Sequence, residues 1–254
     1  MTMNEKAGHT FLASLGKTRL RPGGIQATEW LFAEGKMTPN SQVLEVACNM
    51  ATTAIEIAKR YGSEIYAIDM DKNALSQARE NVAREGLTRH IHIMEANAGK
   101  LPFADNSFDV VINEAMLTMY ADKAKAKLVN EYFRVLKPGG RLLTHDIMFT
   151  RGALNEHQHD ALQGVVKSHV SPMTQDQWKQ LFLTVGFDAV ETQHGAMSLM
   201  SPAGLIRDEG LPRALKIAFN GLRRDNRQRF LGMFRFFRAQ RDNLNYIACC
   251  SIKP

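Results

Sequence analysis

Acids, amides and one histidine stand where apolar runs of this sequence stop. Val43-Leu44-Glu45-Val46-Ala47 carries Glu45 just before a turn, and Ile65-Tyr66-Ala67-Ile68 stops at Asp69. Ile91-His92-Ile93-Met94 leads to Asn97 and Ala98, a fourth run closes on Asn113-Glu114, and a fifth, Arg141 to Ile147, carries His145-Asp146. A carboxylate at the end of the second run can accept two hydroxyl hydrogen bonds from a ribose. Glu45 can hold a ligand's amino group or order the backbone amides of its turn. Glu114, His145 and Asp146 are the residues near strand ends that can act as a general base for an acceptor with a proton to lose. His157 and His159 are two apart, on different sides of a helix, and no cysteine or carboxylate cluster completes a metal set, so no metal is expected.

The elements that must hold these residues follow from periodicity. Ser41 to Asp69 reads as strand, turn, helix, strand, the first half of a parallel doubly wound sheet whose ligands sit at the carboxyl ends of the strands. Helical spacing predicts a leading helix over Ile25 to Ala33, another over Lys72 to Arg84, and a third over Lys123 to Leu136 that Lys137-Pro138-Gly139-Gly140 ends. A nicotinamide site requires G-x-G-x-x-G after the first strand. Here the turn has Ala47, Asn49 and Ala51 instead.

Glu45-Val46-Ala47-Cys48-Asn49-Met50-Ala51 fits the frame acid-x-Gly-x-Gly-x-Gly with all three glycines replaced. At this point the chain resembles the class I S-adenosylmethionine-dependent methyltransferases. Leu101-Pro102-Phe103-Ala104-Asp105-Asn106-Ser107-Phe108-Asp109 and Arg134-Val135-Leu136-Lys137-Pro138-Gly139-Gly140 resemble the small-molecule branch that includes the ubiquinone and menaquinone methyltransferases. The motifs cover Ser41 to about Ile147. The resemblance implies a Rossmann-like α/β fold, a doubly wound, seven-stranded, mostly parallel sheet with an antiparallel last strand and helical cap insertions. It places S-adenosylmethionine among Glu45, Ala47, Asn49, Asp69, Met70, Asn97, Ala98 and Asn113, with Asn97 standing where the family has an acid for the adenine amino group. Ala47 and Ala51 are the smallest substitutes for glycine, and Asn49 tolerates the left-handed region.

A single domain is expected over 1–254, with 1–40 as a helical cover, 41–150 as the cofactor-binding core, and 151–254 carrying the rest of the sheet. Residues 1 to about 20 lack clear periodicity. Phe187 to Met197 and Leu244 to Ile252 read as the last two strands, with residues 201–241 inserted between them as a substrate cap. That insertion holds ten Arg or Lys against Asp208, Glu209 and Asp225, while the whole chain of 254 residues carries only +6. As one helix, Arg224, Arg227, Arg235, Arg238 and Arg241 share a face opposite Phe230, Met233, Phe234, Phe236 and Phe237. The basic face is expected to meet a negatively charged or polar partner, and the phenylalanines the body.

Three readings follow. Methyl transfer to a small molecule, polar or anionic, is carried by the two motif phrases. A nucleic-acid methyltransferase or RNA-binding module is suggested by arginines interleaved with phenylalanines, but Asn113-Glu114-Ala115-Met116 is not the N-P-P-Y type of tetrapeptide of amino methylases. A cofactor-binding protein without catalysis is suggested by the lost glycines. No apolar run reaches the ~20 residues of a membrane span and no signal pattern opens the chain, so a soluble cytoplasmic protein is expected. Its three cysteines are expected to be reduced and buried.

Overall fold

The computed structural model describes residues 7–150 and 156–254, and from 156 to 159 only the backbone. The side chains of His157 and His159 lie outside the described residues. Helices α1 (Gly8–Ser14) and α2 (Gly24–Gly35) lead into β1 (Gln42–Val46), α3 (Thr52–Tyr61), β2 (Glu64–Asp69), α4 (Lys72–Arg84) and β3 (Ile91–Glu95). The alternation continues with β4 (Phe108–Glu114), α5 (Asp122–Val135), β5 (Leu136–Phe149), α6 (Glu156–Val166), β6 (Met173–Thr174), α7 (Gln175–Val185) and β7 (Ala189–Ala196). Three helices, α8 (Pro202–Glu209), α9 (Leu211–Leu222) and α10 (Arg224–Ala239), fill the interval before β8 (Leu244–Ile252).

The sheet runs β3-β2-β1-β4-β5-β8-β7, with the two-residue β6 paired beside β5. Every pair is parallel except β8, which runs against both β5 and β7. Seven strands were expected, and the eighth, β6, is a short addition. Because helices cover both faces, the central strands are apolar on both sides: Val43, Leu44, Val111 and Ile112 are all fully buried. The order reverses between β1 and β4, which opens the crevice of a doubly wound sheet at their carboxyl ends.

Two details depart from the sequence-based expectation. Residues 8–14 form a helix after all, with Phe11, Leu12 and Leu15 buried against Ile217 and Met233 of the cap. Its apolar stripe spans barely a turn, too short to show a period. Lys137 to Gly140 belongs to β5 rather than to a loop, because the chain's end supplies it with a partner: Gly139 donates its N–H to Lys253 O and Lys253 donates its N–H to Gly140 O. Gly139 sits there at φ 76°.

The cap is fastened to the N-terminal cover by two acids at the end of α8. Glu209 accepts from the N–H of Thr18 and of Arg19 at 3.0 and 2.9 Å, and lies 3.5 Å from Lys17 Nζ. Asp208 accepts from the Ile25 N–H at 3.1 Å and so caps α2, whose first residue, Gly24, stands at φ 57° with no room for a Cβ beside that carboxylate. In α10, Phe230 and Met233 are buried while Arg224, Arg227, Arg235 and Arg238 are exposed, the two-faced helix that its spacing predicts.

Candidate active site

A cleft of about 430 Å³ lies where β1, β2 and β4 end, and the turn after β1 forms its floor. Ala47, Asn49 and Ala51 have φ of 56°, 49° and 59°. All three positions of the altered motif are therefore left-handed, the conformation glycine adopts freely and an alanine only at a cost of about 1–2 kcal/mol. The turn is held in that shape from both ends: Cys48 N–H donates to Ile68 O and Asn49 N–H donates to Asp69 Oδ2, each at 2.9 Å. Asp69 Oδ1 accepts from the N–H groups of Met70 and Asp71 at 2.7 and 3.0 Å, so one carboxylate orders the turn and its own strand end together. Asp71, not Asp69, caps the following helix. Met70 stands largely exposed beside it as an apolar flank of the cleft.

Glu45 is buried at the back of the cleft, with Oε2 accepting from the Ala54 N–H at 2.9 Å. Burial, together with the neighbouring Glu114, pushes its carboxyl up to about 8 against the pull of Arg21. A buried carboxyl held this far from its usual range is stabilised by a ligand that brings its own cation. The arrangement can accept the ammonium of an amino-acid-bearing cofactor, and the Asp69 carboxylate, lining the same cleft, can accept hydroxyl groups.

The three candidate bases are placed very differently. Glu114 is clamped by Arg21 Nη1 at 3.0 Å, Thr53 and Thr28 hydroxyls at 2.8 Å and His145 Nδ1 at 3.0 Å. Burial works against its charge, but Arg21 and His145 outweigh it and bring the carboxyl down to about 2, so Glu114 stays ionised and poorly basic. His145 has no exposed surface; its Nε2 accepts from the Gly23 N–H at 2.9 Å, which leaves the proton on Nδ1 facing Glu114. Both ring nitrogens are engaged, and the histidine works as a strut between cover and sheet. Asp146 accepts from the Thr118 and Ile147 N–H groups at 2.9 Å, with its carboxyl raised by burial.

Of the other residues expected around the cofactor, Ala47, Asn49, Met70 and Ala98 line the cleft. Asn97 is exposed, outside that lining, and caps its own turn by accepting from the Gly99 N–H. Asn113 is fully buried behind the wall, its amide donating to Thr144 Oγ1 at 3.2 Å. Cys48 also lines the cleft, with its thiol pushed far up by burial, and all three cysteines are buried and free.

Sequence reasoning missed Arg21 and His9. Arg21 precedes Pro22-Gly23-Gly24, a run that breaks a helix and signals only a turn, yet it lines the cleft, bonds Thr28 within the cover and ties the cover to Thr53 and Glu114. His9 lies in the stretch without periodicity; only the docking of α1 brings it over Asp69, and burial lowers its pKa. It lines both the cleft and a smaller inner cavity of about 80 Å³. Leu20, Ala115 and Met119 are likewise shared by the two, and the inner cavity's other walls include Leu12, Val170, Met233 and Phe237, with Asp146 among them. The cap therefore roofs this cavity with apolar side chains. Arg238 and Arg241 line a different cavity, of about 590 Å³, that shares no residue with the cleft.

Comparison with known proteins agrees with the geometry. A family model described as a methyltransferase domain matches residues 43–140. An uncharacterised protein of Haemophilus influenzae is 50% identical over 98% of this chain and 99% of its own length. The ubiquinone/menaquinone biosynthesis C-methyltransferase of Geotalea daltonii is 28% identical over 65% of this chain and 77% of its own. Methyltransferase GfsG of Streptomyces halstedii is 32% identical, and the match spans about half, 51%, of its length. Among solved structures, phosphoethanolamine N-methyltransferase 2 of Haemonchus contortus in complex with S-adenosyl-L-methionine superposes with a TM-score of 0.75 at 21% identity, over 97% of this chain and 57% of that one. Fold, altered glycine turn and relatives converge: residues 43–140 form a methyltransferase domain of the class I S-adenosylmethionine-dependent type.

Proposed function

We propose that the chain transfers a methyl group to a small, mainly apolar acceptor seated in the inner cavity. The observation that carries this reading is the shared wall: His9, Leu20, Ala115 and Met119 face both the cofactor cleft and the inner cavity. A donor in one and an acceptor in the other meet across that wall. Bound S-adenosylmethionine supplies an electrophilic methyl on a sulfonium, and this chemistry requires alignment and a dry pocket more than a covalent nucleophile.

Each residue then has a task. Asp69 accepts the ribose hydroxyls, Glu45 the ammonium, and Arg21, already at the same end of the cleft, attracts the carboxylate. Met70 covers the adenine. Leu12, Val170, Met233 and Phe237 exclude water around the acceptor. His9, kept neutral by its burial, has a lone pair to take a proton from an oxygen or nitrogen acceptor, while Glu114 and His145 hold the floor rigid. The expected polar or anionic acceptor suits these walls less well, since the cap lines the inner cavity with Met233 and Phe237 and with none of its arginines.

The test is transfer of labelled methyl from the cofactor into an apolar extract, followed by partition of the product into organic solvent. Val170→Trp, which fills the inner cavity, should remove transfer while leaving cofactor affinity unchanged, and His9→Gln should lower kcat at constant KM. Undiminished transfer by Val170→Trp places the acceptor elsewhere.

A further inference from the structure

Helix α9 carries two faces with no ordinary division between them. Ala214 and Ile217 point inward and pack in the cluster that roofs the inner cavity, and Gly221 is buried against Phe230 of the same cluster. Leu211, Leu215, Phe219 and Leu222 point outward, exposed at 54%, 62%, 70% and 51%. At about 100° per residue these four fall within an arc of about 80°, a continuous apolar stripe rather than scattered surface leucines. Lys216 and Arg223 follow within about 60° of its edge, and Arg213 lies beyond them.

The charge around the stripe is sorted. Of the three acids in residues 201–241, Asp208 and Glu209 have fully buried side chains, turned inward onto the cover. Arg213, Lys216, Arg223, Arg224 and Arg227 are all exposed. The outward surface of this segment is therefore apolar in the middle, cationic around it, and nearly free of negative charge. Of the partners such a surface can meet, a second copy of the chain brings the same cations to the same edge and repels. A nucleic acid neutralises the cations but leaves four apolar side chains against phosphate and water. An anionic bilayer satisfies both at once, taking the stripe into the acyl boundary and the cations at the headgroups.

We propose that α9 is a docking surface for an anionic lipid bilayer, on which the protein rests by its cap without crossing it. Among the described residues no helix is long and apolar enough to span a membrane, and a helix lying in the interface needs no such length. The inference rests on the outer face alone and is independent of the acceptor assigned above.

Flotation with phosphatidylcholine vesicles, with and without phosphatidylglycerol, tests it on the full chain. Binding should require phosphatidylglycerol and weaken with salt. The double variant Leu215→Glu/Phe219→Glu should lower vesicle affinity at least tenfold with Tm and cofactor affinity unchanged. Lys216→Gln and Arg223→Gln should each lower it roughly fivefold. Absence of flotation overturns the proposal, as does flotation that the glutamate variants leave intact. Sedimentation showing a dimer that Phe219→Glu dissociates assigns the stripe to a second copy, and competition by an RNA oligomer that abolishes an otherwise stripe-independent binding assigns the cations to nucleic acid; either result also overturns it.

Discussion

Cofactor binding is expected to release a proton from Glu45. With its carboxyl at about 8 in the cofactor-free protein, it carries about 0.9 of a proton at pH 7. An ammonium placed against it favours the carboxylate, so binding at pH 7 should release up to about one proton. Affinity should rise about tenfold from pH 6 to pH 7 and level off near 8. Isothermal titration with S-adenosylhomocysteine in two buffers of different ionisation enthalpy reads the proton count directly, and Glu45→Gln should abolish both the release and the slope. The same shift has a sign in stability. A folded-state pKa above the ordinary 4.5 means that Glu45 favours the fold below about 4.5, and that this contribution is lost as pH climbs towards 8. By pH 7 the disadvantage relative to a neutral side chain is about 3 kcal/mol. Glu45→Gln should therefore make the cofactor-free protein more stable at pH 7 than at pH 4.5 relative to wild type, while weakening the cofactor at least tenfold. A flat pH dependence with no proton release would refute the reasoning and show that Arg21 already keeps Glu45 ionised.

Two further substitutions probe the cleft. Asp69→Ala removes the acceptor for the Asn49, Met70 and Asp71 amides as well as for the ribose; cofactor affinity should drop at least tenfold by titration, and an unchanged value removes Asp69 from the site. Ala47→Gly relieves a left-handed alanine at φ 56°, removing about 1 kcal/mol of strain that glycine's larger unfolded-state entropy offsets in part, and so should raise Tm slightly; cofactor affinity should stay equal or rise, and its loss in a folded variant would mean that the methyl itself touches the ligand.

The cofactor half of the molecule was legible because its signals are local. Ser41 to Asp69 is a strand, a turn, a helix and a strand in sequence, and the place of Asp69 at the end of β2 follows from counting apolar residues. The replaced glycines were legible too, since alanine and asparagine are what a left-handed turn admits with least strain. The acceptor half was not. His9 meets Asp69 only because Phe11, Leu12 and Leu15 find Ile217 and Met233 some two hundred residues away. His145 and Glu114 read as bases from their strand ends, but their partners Gly23, Thr28 and Arg21 arrive from a segment whose proline and glycines advertised only a turn. Long-range pairing decides whether a titratable group serves chemistry or bracing, and no spacing rule encodes it.

Asp208 and Glu209 bear on how this protein comes apart. Their carboxylates accept the amide protons of Ile25, Thr18 and Arg19, groups that no strand or helix of their own protects. Lifting the cap strips all three amides at once and leaves Lys17 buried without its counter-charge. The cap and the N-terminal arm therefore open as one cooperative unit, and a core trimmed of residues 201–241 is not a smaller version of the enzyme. Hydrogen exchange makes the joint opening visible: the amides of Thr18, Arg19 and Ile25 should exchange at the rate of α8, and exchange faster than α8 would mean that arm and cap part separately.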